Sequence, residues 1–255
     1  ALAAWQKAKD ADPENPLPYR DLANAYFYSG KYDLARQNIE EYLRRSDKSC
    51  DDRIRYADIL YLTKDYTAAI NKMQEMIATC GEKPYMYRVI GYSQTEIGDS
   101  LNALKNMRLF FSKQPVERIL PSDYQYMGRI YMKLNRPDSA DYFYEMAVMA
   151  DTAGDKAETY RANAEDFKAL KSDTGYAKAG EWYGRLVAEN PDAPALDYYY
   201  WGFWSYYGRN YETAAKAFEA FEAKYPDQPS ATYWRGRVAA AMDPEAKEGT
   251  AISHY

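Results

Sequence analysis

One spacing constrains this 255-residue chain more than any other feature: an alanine with a bulky residue four places after it recurs along the whole sequence. The first four of these alanines are 34 residues apart, and the later intervals are 37, 39, 35 and 37. A period of this size is typical of stacked helix–turn–helix repeats, each of which contacts mainly its neighbours. The sequence therefore predicts an all-α fold. The pairs are Ala1/Trp5, Ala35/Ile39, Ala69/Met73, Ala103/Met107, Ala140/Tyr144, Ala179/Tyr183, Ala214/Phe218 and Ala251/Tyr255.

Residues 16–49 illustrate how one repeat is built. Tyr19, Leu22 and Tyr26 recur at helical spacing and predict a first helix with one buried face. Gly30 follows where that helix ends, and glycine is favoured there because the backbone turns left-handed. A second helix then carries the alanine of the recurring pair.

The period divides residues 1–255 into a single predicted solenoid. We interpret residues 1–15 as the second helix of a partial repeat and residues 229–255 as a truncated repeat, as expected for a piece of a longer protein. The fifth repeat fits the pattern least well and has about three extra residues in the turn around 171–175. The complete repeats are predicted at 16–49, 50–83, 84–117, 121–154, 157–193 and 195–228.

Other positions also recur from repeat to repeat. A small residue stands at the eighth position, a bulky residue often follows three places later, and prolines close several of the second helices. On these positions the chain resembles the tetratricopeptide repeat family, in the multi-repeat form found in bacteria. The resemblance implies a right-handed superhelical solenoid whose first helices line a concave groove. The residues are Ala23, Ala57, Gly91, Gly128, Ala164, Gly202 and Gly236; Tyr26, Leu60, Tyr131 and Phe167; and Pro13, Pro115, Pro191 and Pro226.

The sequence lacks the patterns that carry catalysis or cofactor chemistry. His254 is the only histidine, so no Ser/His/Asp or Cys/His set can be assembled. There is neither Cys/His metal-ligand spacing nor a glycine loop for phosphate. We therefore expect no catalytic residue, no metal, no cofactor and no enzymatic activity. The net charge of −5 argues against a nucleic-acid partner, and no apolar run approaches the ~18 residues of a membrane span.

The composition is unusual in its 28 tyrosines against 8 phenylalanines. Most of them fall on positions that pack helices together. Others fall on the groove positions implied by the resemblance, where they either contact a ligand, as hot-spot tyrosines do, or stack to cover the inner surface. Together with polar neighbours, the predicted ligand-binding residues are Arg20, Asn24, Tyr28, Tyr61, Tyr85, Arg88, Tyr92, Arg129, Lys133, Arg161, Lys168, Tyr199, Phe203 and Tyr206.

The polar groove residues indicate the kind of ligand. Arg20 and Asn24 resemble half of the clamp with which some relatives hold a peptide's terminal carboxylate, but Arg55 and Tyr85 stand where the rest of the clamp would need asparagine and a basic residue. Arginine beside tyrosine still suits an acidic peptide or a C-terminal carboxylate. The predicted partner is thus a protein or peptide.

Taken together, these features predict a scaffold that binds a peptide or a partner helix in a Tyr/Arg-lined groove. Two alternatives stay open: a structural assembly factor of a cell-envelope complex, and a regulatory or sensor region of a larger protein. The family resemblance slightly favours the periplasmic side of the cell envelope over the cytoplasm.

The two cysteines allow two outcomes. Cys50 is predicted to open the first helix of one repeat and Cys80 to close its second helix, so antiparallel packing brings both to one edge of the hairpin. Either they form a disulfide, which needs Cα atoms ~4.4–6.8 Å apart, or they remain separate thiols because the helix ends diverge.

Overall fold

A computed structural model describes residues 1–46, 49–152, 156–245, 247 and 249. Within these residues there are 14 α-helices, a short 3-10 helix and no strand, which confirms the predicted all-α fold. The pair Ala251/Tyr255 and His254 lie outside the described residues. The helices are α1 (Leu2–Ala11), α2 (Pro16–Tyr28), α3 (Tyr32–Arg45), α4 (Cys50–Leu62), α5 (Tyr66–Cys80), α6 (Pro84–Glu96), α7 (Ser100–Lys113), the 3-10 helix (Val116–Arg118), α8 (Pro121–Lys133), α9 (Pro137–Ala150), α10 (Ala157–Lys168), α11 (Asp173–Glu189), α12 (Ala195–Tyr207), α13 (Tyr211–Lys224) and α14 (Pro229–Met242).

The chain forms two compact units, an N-terminal unit at Ala1–Ile119 and a C-terminal unit at Leu120–Tyr255. In the N-terminal unit, α2 packs on α3, α4 on α5 and α6 on α7. In the C-terminal unit, α8 packs on α9, α10 on α11 and α12 on α13. The repeat boundaries and the single solenoid stay predictions.

The turns inside the helix pairs share one backbone geometry. In the first and third pairs the middle turn residue is Gly30 or Gly98, with φ of 72° and 82°. Glycine adopts this left-handed conformation at no steric cost, so the role predicted for Gly30 is correct. The following helix is then capped in several pairs by a side chain at the last turn position, as Asp65, Asp99 and Asn210 show by accepting a backbone N–H two or three residues into the helix.

In three of the pairs the two helices approach closely where a glycine of the first helix meets a bulky residue of the second. A Cβ atom added to the small residue would lie closer to the facing side chain than non-bonded atoms can approach. Absence of a side chain therefore fixes the distance between the helices. The three glycine contacts are Gly91 with Met107, Gly128 with Tyr144 and Gly202 with Phe218, at 2.7, 2.2 and 2.6 Å from the ideal Cβ position.

The pair α10/α11 departs from the others. Its turn spans 169–172, one residue longer than turns such as 63–65, and α11 has 17 residues where α9 and α13 have 14. The extra residues expected in the turn around 171–175 therefore lie mostly inside the first part of α11. Ser172 caps this longer helix by accepting the N–H of Gly175 at 3.1 Å.

Cys50 and Cys80 form a disulfide in the N-terminal unit, with Cα atoms 5.9 Å apart. Cys50 is the first residue of α4 and Cys80 the last of α5, so the bond joins the end of the hairpin opposite its turn. Arg53, one turn into α4, places Nη2 3.7 Å from the Cys80 sulfur. The sequence left open a disulfide or two separate thiols, and the structure contains the disulfide.

Replacing both cysteines by serine (Cys50→Ser with Cys80→Ser) should lower the free energy of unfolding by about 3–4 kcal/mol, because the bridge constrains a loop of 30 residues in the unfolded chain. Urea unfolding with and without dithiothreitol measures this. Reductant should weaken the wild type and leave the double variant unchanged. Two titratable thiols in unreduced wild-type protein would contradict the bridge.

Gly128→Ala should destabilise the protein more than Gly91→Ala, by about 1–3 kcal/mol. Both substitutions gain the same helix propensity, but Tyr144 is 1% exposed and cannot move aside, whereas the flexible side chain of Met107 can. The difference in thermal midpoint between the two variants is the readout. Equal midpoints would show that the ring of Tyr144 does not set the helix spacing.

Candidate functional site

On the first helices of the N-terminal unit, an arginine lies across one half-buried and one exposed aromatic ring. Arg55 of α4 stands 4.9 Å from the ring centre of Phe27 and 5.5 Å from that of Tyr28 on α2. Its Nη1 also donates to the Tyr28 hydroxyl at 3.3 Å. Tyr28 is 76% exposed, so this predicted groove residue presents its ring to solvent next to a positive charge. Such a pair suits contact with a peptide.

A half-buried carboxylate lies beside this arginine. Burial raises the pKa of Asp58 to about 6, and the positive charges of Arg55 and Arg88 limit the rise. Tyr85 lies within reach of the same charge: burial, and then Asp58, raise the pKa of its hydroxyl to about 12. Two of the predicted groove residues, Tyr85 and Arg88, therefore lie near the carboxylate of Asp58, which is half protonated near pH 6.

The remaining predicted groove residues of this unit mainly contact other residues of the protein. Arg20 donates hydrogen bonds from Nε and Nη2 to its neighbour Asp21, at 3.1 and 3.0 Å. The arginine suggested for the carboxylate clamp is therefore already paired with an acid of this protein. Tyr92 is only 9% exposed and packs against Tyr61 with ring centres 6.2 Å apart. For this pair the stacking role fits the structure better than ligand contact. Asn24 is half-buried on α2.

In the C-terminal unit, two of the predicted cations have internal partners. Arg161 donates Nε and Nη2 to the two carboxylate oxygens of Asp197, at 2.9 and 2.7 Å, and Asp197 is only 4% exposed. Arg161 is therefore required to neutralise a buried charge and is not available as a groove cation. Lys168 pairs with Glu165 and lies 5.5 Å from the ring centre of Trp204.

Arg129 and Lys133 act on the half-buried carboxylate of Asp166. Tyr144 of α9 donates its hydroxyl to Asp166 of α10. Burial raises the pKa of Asp166, while the Tyr144 hydroxyl and the charges of Arg129 and Lys133 oppose the rise. Arg129 also stands over the Tyr126 ring at 5.1 Å, and Lys133 is exposed at the end of α8.

A cluster of aromatic rings joins α12 and α14. Tyr199, Phe203 and Tyr206 all pack on Trp234, with ring centres 6.4, 5.2 and 5.3 Å away. These three residues are predicted from the sequence, whereas Trp234 and its neighbour Arg237 are not. Its place in the repeat could have indicated Arg237, because it directly follows Gly236 as the predicted Arg129 directly follows Gly128.

Solved structures with the same fold are repeat proteins. A C-terminal part of a tetratricopeptide repeat-containing protein from Cytophaga hutchinsonii is 26% identical, with 79% of this chain and 76% of that chain covered and a TM-score of 0.54. A tetratricopeptide repeat protein from Parabacteroides merdae is 12% identical, with 94% and 90% covered and a TM-score of 0.55. PilW, a type IV pilus biogenesis factor, is 20% identical, with 75% and 85% covered and a TM-score of 0.58. This chain is thus an all-α helical repeat protein.

The sequence model of the tetratricopeptide repeat family matches residues 20–85 and 206–243, one segment in each unit. In these two segments, and in its paired helices, the chain is similar to tetratricopeptide repeat proteins. No curated protein matches it significantly. The fold is one that generally serves as a non-catalytic scaffold for protein–protein interaction. In the described part of the chain, every helix is too short or too polar to cross a bilayer.

Asp58→Asn should stabilise the protein relative to wild type at pH 7 but not near pH 4. The raised pKa means that the folded state binds the Asp58 proton more tightly than the unfolded state, so the wild type loses stability as pH rises from about 4 to 7. This pKa shift corresponds to a change of roughly 1–3 kcal/mol in the free energy of unfolding. Urea unfolding at several pH values measures it, with Asp51→Asn as control because the Asp51 carboxylate is 88% exposed. A pH-independent difference would contradict the prediction.

Proposed function

We propose that this protein is a binding scaffold that captures a peptide segment or a partner helix on the Tyr- and Arg-bearing faces of its first helices, without chemical turnover. The observation that carries the proposal is the exposure of aromatic rings beside arginines: Tyr28 with Arg55 in the N-terminal unit, and Tyr233 with Arg237 in the C-terminal unit. Large amphipathic side chains that lose little entropy on binding are typical of interface hot spots.

The charges favour an acidic segment as ligand. In the N-terminal unit Arg55 and Arg88 both lie near the carboxylate of Asp58, and protonation of Asp58 near pH 6 removes one negative charge from beside these arginines. An acidic ligand would supply the missing negative charge through charge-assisted hydrogen bonds. Binding of such a ligand should therefore strengthen between pH 7 and pH 5.

A second candidate function is structural assembly through a second helix. Leu101 of α7 is 73% exposed and borders a shallow depression of about 470 Å³ that is also lined by Leu104, Arg108 and Leu109. Exposed leucines around a depression are typical of protein contact sites. PilW, which shares the fold, is a pilus biogenesis factor.

The disulfide supports an oxidising compartment for either function. Bonds of this kind persist in the periplasm or outside the cell and are rare where glutathione and thioredoxin keep thiols reduced. We therefore propose the periplasmic side of a cell envelope as the site of action.

The test is capture of a partner from an extract of the source cell, followed by quantitative binding to variants. Arg88→Gln with Arg129→Gln should weaken binding about tenfold or more while changing the thermal midpoint little, since a charge-assisted contact contributes about 1.5–3 kcal/mol. Arg44→Gln is the matched control, because Arg44 is 66% exposed on α3, a second helix. Equal binding by both variants would contradict a binding role for the first helices. If binding is lost only in the variant Leu101→Asp, assembly through α7 is favoured.

A further inference from the structure

The guanidinium of Arg237, on α14, is held in place by aromatic side chains alone. Its Nη1 donates to the Tyr233 hydroxyl at 3.2 Å and its Nη2 to the Tyr206 hydroxyl at 3.4 Å. The same group stands 5.7 Å from the ring centre of Tyr206 and 5.6 Å from that of Trp234. Two hydroxyls and two ring faces therefore orient this cation before any ligand arrives.

Arg237 forms no ion pair with any carboxylate of the described residues, and the groups that raise its pKa are the hydroxyls of Tyr206 and Tyr233. Other arginines of the C-terminal unit have one: Arg185 pairs with Glu145 at 2.9 Å, and Arg235 pairs with Glu222. Arg237 is exposed, so it meets a ligand without prior loss of an internal partner.

Arg55 of the N-terminal unit resembles Arg237 in its aromatic contacts but differs from it in its charged neighbours. Arg55 also stacks on aromatic rings and contacts a tyrosine hydroxyl, but it faces the charge of Asp58 one helical turn away. One helical turn from Arg237, α14 carries Tyr233, Trp234, Ala240 and Ala241, none of which bears a charge. Among the described residues, Arg237 thus lacks the charged neighbour that Arg55 has, and its exposed guanidinium can accept a negatively charged ligand.

The guanidinium retains the donors that such a ligand needs. Arginine has five N–H groups, and each Nη carries two of them, so contacts with two hydroxyls leave three N–H groups in a planar fork that matches a carboxylate. Exposed aromatic surface adjoins the site: Tyr233, whose hydroxyl accepts from Arg237, is 51% exposed, and Tyr207 on α12, with its ring centre 5.6 Å from that of Tyr206, is 44% exposed. A ligand that combines a carboxylate with a neighbouring apolar side chain matches both features.

We propose that Arg237, positioned by Tyr206 and Tyr233, binds a peptide carboxylate, while the adjacent apolar side chain of the peptide packs on Tyr207 and Tyr233. This inference rests on the proposed scaffold function and names the ligand chemistry of one of its two units. The carboxylate comes either from the C-terminus of the partner or from an aspartate or glutamate side chain. Both sources share the chemistry that Arg237 recognises.

Three synthetic peptides distinguish these sources when titrated calorimetrically into the full chain: acetyl-Gly-Ser-Asn-Phe with a free C-terminal acid, acetyl-Gly-Ser-Asp-Phe amide, and the uncharged acetyl-Gly-Ser-Asn-Phe amide. At least one acidic peptide should bind about ten- to hundredfold more tightly than the uncharged one. Binding of the free acid alone assigns a C-terminal ligand, and binding of the aspartate peptide assigns a side-chain ligand.

Arg237→Gln should remove this preference, and Tyr206→Phe with Tyr233→Phe should reduce it, because the rings remain while the hydroxyls that orient the guanidinium are lost. Arg136→Gln is the control: Arg136 is exposed and lies 5.3 Å from the ring centre of Tyr131, but no tyrosine hydroxyl holds it among the described residues. The control should bind like wild type.

The inference is overturned if no acidic peptide binds better than the uncharged one, or if Arg237→Gln and Arg136→Gln behave alike. Capture of the cellular partner distinguishes this failure from failure of the scaffold function. If wild-type protein still captures a partner and the Arg88/Arg129 variant loses it, the scaffold function stands without the Arg237 site. If no partner is captured either, both proposals fail.

Discussion

The close contact between a glycine and a bulky side chain, found in three of the helix pairs, is the interaction on which the packing of these pairs depends. Gly128 and Tyr144, 16 residues apart, show it most tightly, since a Cβ on Gly128 would lie 2.2 Å from the ring. The contact sets the spacing of the two helices, and the buried side chains then pack around it. Because Tyr144 also donates its hydroxyl to Asp166 of α10, the same ring joins one pair to the next.

The fold was predictable because its main determinants are local and periodic. The spacing that places Ala35 and Ala69 at 0% exposure is visible in the sequence, and so are Gly30 and the cap residues of the turns. The fifth repeat was harder: the residues inserted near Asp173 extend a helix instead of a turn, and the choice depends on the cap at Ser172 and on packing of Gly175 against Phe167.

The candidate site was less predictable because the role of a charged side chain depends on partners far away in sequence. Arg161 occupies a predicted groove position, yet its carboxylate partner Asp197 comes 36 residues later and is buried. Conversely, Arg237 forms no ion pair with any carboxylate of the described residues, and the sequence of α14 alone does not reveal this. Periodicity identifies the face of a helix, whereas pairing across helices decides which residues on that face remain available to a ligand.

The Cys50–Cys80 bond has a consequence for how the chain would carry tension. It links the first residue of α4 directly to the last residue of α5, so a pull on the two ends of the chain passes through the sulfurs and bypasses both helices. The 30 residues of sequence separation would then add none of the roughly 100 Å of extension that they contribute when the bond is reduced. In an oxidising compartment, stretching the protein would leave this helix pair folded while its neighbours unravel.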